Sequence, residues 1–140
     1  MPSDYSKYFE SSNSIVSEVI TSHLLIENYL RRQLSVVLKV PDALINDQGP
    51  KFALLVNLAE ALGIVAPDLA KVLRKVNTVR NRYAHRLCFE ASMAQVDEVL
   101  SAMREMKSPF YVSLMQGSEH ELVVALSALT DWFQLQYGPL

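Results

Sequence analysis

The stretch SIVSEVITSHLLIENYLRRQLSVVL, residues 14–38, decides the fold class. It contains neither glycine nor proline, and its apolar side chains recur at steps of three and four, which is the spacing of one helix face. The pattern predicts a long amphipathic helix that begins as early as Asp4, with a break near residues 11–14. Because the residue before a proline disfavours helical geometry, the helix should end before Pro41. His23 lies within the apolar stripe, which is typical of a core histidine with a satisfied hydrogen bond.

Outward from this helix, the rest of the chain also reads as helical. Residues 51–62 predict a helix that Gly63 stops just past its last turn. The next helix begins around Pro67, a residue favoured in the first helical turn, and should run to about Leu87. Its neighbour Asp68 is favourable near a helix N-terminus.

Two capping boxes mark the starts of two further helices. Ser92 to Gln95 and Ser118 to Glu121 each place a glutamine or glutamate three residues after a serine,. The first of these helices should reach about Lys107, since Pro109 follows. No segment alternates at period two, so the sequence predicts an all-α, antiparallel bundle of four to five helices forming one domain over residues 1–140.

Composition narrows the range of functions. The formal net charge is −2, so the overall field does not attract nucleic acid or an anionic membrane. The single cysteine, Cys88, excludes an internal disulfide and a cysteine-rich zinc site. Four glycines form no phosphate-binding loop, and three histidines lack carboxylates at ligand spacing,. We therefore expect no metal, no cofactor and no membrane span, and a cytoplasmic location.

The exception to this even charge is the segment from residue 71 to residue 86. It holds six of the 13 lysines and arginines, and no acid lies between Asp68 and Glu90. On a helical wheel at about 100° per residue, two groups separate. One group is a basic ridge, formed by Lys71, Lys75, Arg82 and Arg86. This ridge and the adjacent Arg74 are predicted to be a nucleic-acid-binding surface. A polar flank beside the apolar stripe contains Arg80, Asn81 and His85.

The residues of this flank resemble a family motif. Arg80-Asn81-Arg82-Tyr83-Ala84-His85 matches the arginine, polar residue, any three, histidine pattern of the HEPN superfamily of small helical domains. The segment QGPKFALLVNLAEALGIV, residues 48–65, with the VRNRYAH that follows, looks like the mannitol operon repressor (MtlR) family. The resemblance covers roughly residues 15–100. One HEPN subgroup has a tyrosine two positions after the histidine, where this chain has Leu87.

The resemblance implies a HEPN-like bundle that dimerises, with an RNA or protein partner. It implies either a transcriptional or RNA-linked regulator or a metal-independent endoribonuclease. In the enzyme, His85 would move protons, Arg80 would bind the phosphate and Asn81 would orient it. One histidine per chain would make such a reaction depend on the dimer.

Two further interpretations remain open from the residues alone. One is a bundle that serves only as a protein-interaction domain, without a nucleic-acid role. Alternatively, Arg80 pairs with Glu27 of the first long helix, and Asn81 and His85 complete a buried polar network that fixes helix register. Under either a functional or a structural role, Glu27 is the expected partner of Arg80.

Overall fold

The computed structural model describes residues 3–40, 51–85, 93–106 and 119–140. Within these ranges the chain forms five helices and no strand, which confirms the all-α prediction. They are α1 (Ser3–Val37), α2 (Phe52–Ala61), α3 (Pro67–His85), α4 (Met93–Glu105) and α5 (Glu119–Tyr137).

Helix α1 is the long helix that the opening stretch predicts. It runs without interruption through residues 11–14, so the predicted break there is wrong. Its buried apolar side chains, spaced by three, four or seven residues, are Val19, Ile26, Tyr29, Leu30 and Leu34. Burying this stripe is what stabilises the helix, because intrinsic propensity alone contributes little. The helix ends at Val37, and Pro41 lies outside the described residues.

The turn between α2 and α3 has the form that the sequence predicts. Gly63 adopts a φ of 75°, which a side chain would disfavour,. The Gly63 amide donates to the Glu60 carbonyl at 3.1 Å, and the Ile64 amide to the Ala59 carbonyl at 2.8 Å. These two bonds satisfy carbonyls at the end of α2 in a Schellman motif. Asp68 then accepts from the Leu69 amide at 2.8 Å in the first turn of α3.

Contacts between side chains give the directions of the helices. Lys71, near the start of α3, pairs with Glu105 at the end of α4, and Lys75 pairs with Glu98. These two helices are therefore antiparallel. Along α1 and α5, Tyr29 stacks on Phe133, whereas Arg32 contacts the carbonyl oxygen of Tyr137. Residue numbers increase in the same direction along both helices at these contacts, so α1 and α5 are parallel rather than antiparallel.

The end of α5 is fastened to α1 by one arginine. The Arg32 guanidinium donates to the carbonyls of Tyr137, Gly138 and Pro139, and lies 5.3 Å from the ring centroid of Tyr29. Carbonyls at a helix C-terminus lack partners within the helix, and a cation there also favours the helix dipole. Beside this contact Phe133 lies in the core, and Trp132 and Tyr137 are partly buried and pack against it.

The starts of α4 and α5 agree with the two capping boxes. These helices begin at Met93 and Glu119, one residue after the expected cap serines. Ser92 and Ser118 themselves lie outside the described residues. Helix α4 ends at Glu105, slightly before the predicted Lys107.

Candidate anion-binding face between α1 and α3

The motif residues lie in the last two turns of α3, and the charge of Arg80 acts on His23 of α1. Arg80 and Asn81 are half-buried, and His85 is the last residue of the helix. The side chain of His85 lies outside the described residues. We use the name α1–α3 polar face for His23 and Glu27 of α1 with Asn77, Arg80 and Asn81 of α3.

Arg80 is the least satisfied group of this face. Its Nη1 donates to Asn81 Oδ1 at 3.1 Å. Its Nε is inaccessible to solvent and has no hydrogen-bond partner. Among the described residues no carboxylate lies within ion-pair distance of its guanidinium. A buried donor without a partner is costly, and the guanidinium carries a positive charge that no described carboxylate offsets, so an anion would be favourable beside it.

The expected ion pair between Arg80 and Glu27 is not formed. Glu27 Oε1 instead accepts from Arg31 Nη2 at 3.0 Å, one turn further along α1. A glutamate four residues before an arginine is a favourable pair on one helix, and it needs no contact with another element. Glu27 nevertheless lies near enough to the polar face to act electrostatically on His23.

His23 joins this face, although the sequence predicted only a core role for it. Its ring is buried, with 5% exposed, and stacks on Phe52 with centroids 4.0 Å apart. Its Nε2 lies 2.9 Å from Asn77 Oδ1, which places a proton on Nε2 because an amide oxygen only accepts,. The predicted satisfied core histidine is thus confirmed. The sequence did not indicate that its partner, Asn77, would lie one turn from Arg80 and Asn81.

Burial is the main cause that lowers the pKa of His23 below its ordinary value,. The hydrogen bond to Asn77 acts in the opposite direction and raises that pKa. The positive charge of Arg80 lowers it, and the negative charge of Glu27 raises it. The neutral imidazole is therefore favoured next to the Arg80 guanidinium.

Three cations predicted to form the nucleic-acid-binding surface have acidic partners on other helices. Lys71 pairs with Glu105 at 2.9 Å and Lys75 with Glu98 at 3.5 Å. Arg74 pairs with Glu60 at 2.6 Å and also donates to Asn57. Arg82 is exposed and has no acidic partner within the described ranges, and Arg86 lies outside those ranges. The sequence showed only that α3 itself supplies no acid.

Other regions offer less to an anion. A cavity of about 250 Å³ between α1 and the C-terminal residues has one charged lining residue, the carboxylate of Asp131. In the part of the chain that is described, no three histidine, cysteine or acidic residues cluster as metal ligands. No helix of the described segments has the length and apolar character to cross a membrane.

Comparisons of the chain with known protein families, with curated proteins and with solved structures find no match. The resemblance to HEPN and MtlR proteins therefore depends on the motif residues, their position and the segment of residues 48–65.

Proposed function

We propose that the chain is a cytoplasmic regulatory or binding protein of HEPN and MtlR type that binds the phosphate backbone of RNA. The binding surface is the part of α3 from Arg80 to His85, which includes the exposed Arg82. A homodimer that brings two such surfaces together belongs to the same proposal.

The observation that carries this proposal is the guanidinium of Arg80, whose Nε has no hydrogen-bond partner and whose charge meets no carboxylate of the described residues. Other cations of α3, at positions 71, 74 and 75, are neutralised by acids from α2 or α4. Within the described segments, Arg80 has the neutral Asn81 as its hydrogen-bond acceptor and no carboxylate partner. Arginine donates two parallel hydrogen bonds to a phosphate, and charge-assisted bonds of this kind are about twice as strong as neutral ones. A phosphodiester is thus a fitting acceptor.

Fluorescence anisotropy with a labelled single-stranded RNA of mixed sequence tests the proposal. The protein is titrated at several salt concentrations as the wild type, Arg80→Met and Lys75→Met. The control Lys75→Met also removes one positive charge from α3, but from a residue that has an acidic partner. We expect Arg80→Met to weaken binding about tenfold and to reduce the salt dependence by about one ion, because one phosphate contact is lost.

Lys75→Met should change the affinity less than about twofold, since its charge is already offset. Absence of RNA binding by the wild type, or equal losses in the two variants, would contradict the proposal. The same RNA incubated in EDTA distinguishes the endoribonuclease alternative. Cleavage that His85→Ala abolishes would establish the enzyme, whereas binding without cleavage would establish the regulator or binding protein.

A further inference from the structure

We propose that His23 is a positioning residue of the Arg80 site and takes up a proton when an anion binds there. This inference rests on the function proposed above, because it concerns the same site. It adds a residue of α1 to a site that the sequence located only on α3.

The positioning role follows from how His23 is held. Phe52 of α2 stacks on one side of its ring, and Asn77 of α3 accepts its Nε2 proton. One buried imidazole thus contacts both helices that flank it. Asn77 precedes Arg80 by three residues and Asn81 by four, so all three lie on neighbouring positions of one helical face. The bond from His23 to Asn77 therefore fixes where that face lies against α1.

The proton uptake follows from the charges around the ring. Arg80 of α3 and Glu27 of α1 are the charged groups that act on His23, and α2 contributes the uncharged ring of Phe52. The charge of Glu27 is shared with Arg31. Because no described carboxylate pairs with Arg80, a second positive charge on His23 is opposed both by burial and by repulsion.

An anion at Arg80 changes this balance. It offsets the guanidinium charge, so the imidazolium becomes less unfavourable and the pKa of His23 rises towards its ordinary value. By linkage, a ligand that raises the proton affinity of a group binds more tightly as the pH falls through that group's titration range. The RNA affinity should therefore carry a pH dependence that originates in α1.

Histidine titration by NMR tests the coupling in the ligand-free protein. The ring Cε1–H signals are followed from about pH 5 to about pH 8, the range in which histidine titrates, and His23→Gln assigns the His23 signal. We expect Arg80→Met to raise the pKa of His23. The matched control is Arg82→Met, which removes an equal charge two residues away and should leave that pKa nearly unchanged. Arg82 is exposed and, like Arg80, has no acidic partner among the described residues. Equal shifts in both variants, or no shift in either, would overturn the coupling.

RNA binding over the same pH range tests the proton uptake. An oligouridylate is used as the probe, because its phosphodiesters do not titrate there. The wild type should gain several-fold more affinity on acidification than His23→Gln, and any contribution of His85 is common to both proteins. His23→Leu should bind more weakly than His23→Gln, since glutamine can still donate a hydrogen bond to Asn77 and leucine cannot.

The outcomes separate the two proposals. Equal pH dependence in the wild type and His23→Gln would refute the proton uptake while leaving RNA binding intact. If the wild type binds no RNA at any pH, the proposed function fails, and the NMR titration still decides whether Arg80 and His23 are coupled. Equal affinities of His23→Gln and His23→Leu would refute the positioning role.

Discussion

The two halves of α3 carry similar numbers of positive charges but differ in how those charges are satisfied. In the first half, residues 67–76, each of three cations meets a carboxylate from α2 or α4. In the second half, residues 77–85, Arg80 and Arg82 meet no carboxylate of the described residues. The comparison shows that a basic helix is not one surface. Its first half carries solvated ion pairs, and its second half carries two arginines without a carboxylate partner among the described residues.

The largest expected effect comes from the bond that holds the second half in place. Asn77→Ala removes the acceptor of the buried His23 Nε2 proton and leaves that donor unsatisfied. The free energy of unfolding should fall by about 1–3 kcal/mol, the cost of a buried donor without a partner. Urea denaturation followed by circular dichroism measures it. The control Thr78→Ala changes the adjacent exposed residue and should alter stability by less than about 0.5 kcal/mol; equal losses would mean that the bond contributes nothing specific.

Burial of the histidine that makes this bond also makes the protein sensitive to acid. The pKa of His23 is lower in the folded protein, so the neutral form of the imidazole is favoured more strongly in the folded state than in the unfolded chain. Its contribution to stability is fully present above the unfolded value of about 6.5. It is lost as the pH falls from there through the folded pKa, with a slope of at most about 1.4 kcal/mol per pH unit for one proton.

Urea denaturation at a series of pH values checks this sign. The wild type should lose stability below about pH 6.5, and His23→Gln should lose less, because glutamine does not titrate. His120→Gln is the control, because it removes another titratable histidine, from the first turn of α5. A wild-type pH profile in His23→Gln would show that the acid sensitivity arises elsewhere.

The sequence predicted the fold better than the site because the two depend on contacts of different range. The stripe from Val19 to Leu34 and the glycine at position 63 express helix and turn geometry through neighbouring residues, and both predictions are confirmed. The bond from His23 to Asn77 joins residues 54 positions apart. Helical periodicity places each on a face of its own helix, but it does not show which faces meet.

The partner of Glu27 is a different case, because the signal was local. Arg31 lies four residues after it, which is a favourable spacing for an ion pair on one helix,. The prediction favoured Arg80 because an arginine beside an apolar stripe was expected to need an acid. Among the described residues the structure leaves that arginine without one, and the proposed anion site rests on this departure from ordinary packing.

A further prediction compares two arginines that differ in the same way as the halves of α3. Arg32 donates to three carbonyl oxygens at the end of α5, whereas the Nε of Arg80 is buried without an acceptor. Arg80→Met keeps an apolar stem of similar shape and removes the unsatisfied donor, so stability should stay level or rise by up to about 1 kcal/mol. Arg32→Met should lower it by about 1 kcal/mol or more, because the carbonyls lose their donor. Thermal and urea unfolding measure both, and a loss of similar size in Arg80→Met would mean that Arg80 is a structural residue.

The smallest effect is expected in the first half of α3, where the ion pairs lie at the surface. Arg74 and Glu60 are 2.6 Å apart, with side chains 43% and 28% exposed. Solvent screening weakens such a pair, and a double-mutant cycle with Arg74→Gln and Glu60→Gln should give a coupling of about 0.2–1 kcal/mol that decreases in high salt. The more exposed pair of Lys75 and Glu98, 3.5 Å apart, should give less. If either coupling approached the loss in Asn77→Ala, the first half of the helix would be the structurally important one, and the contrast between the halves would not hold.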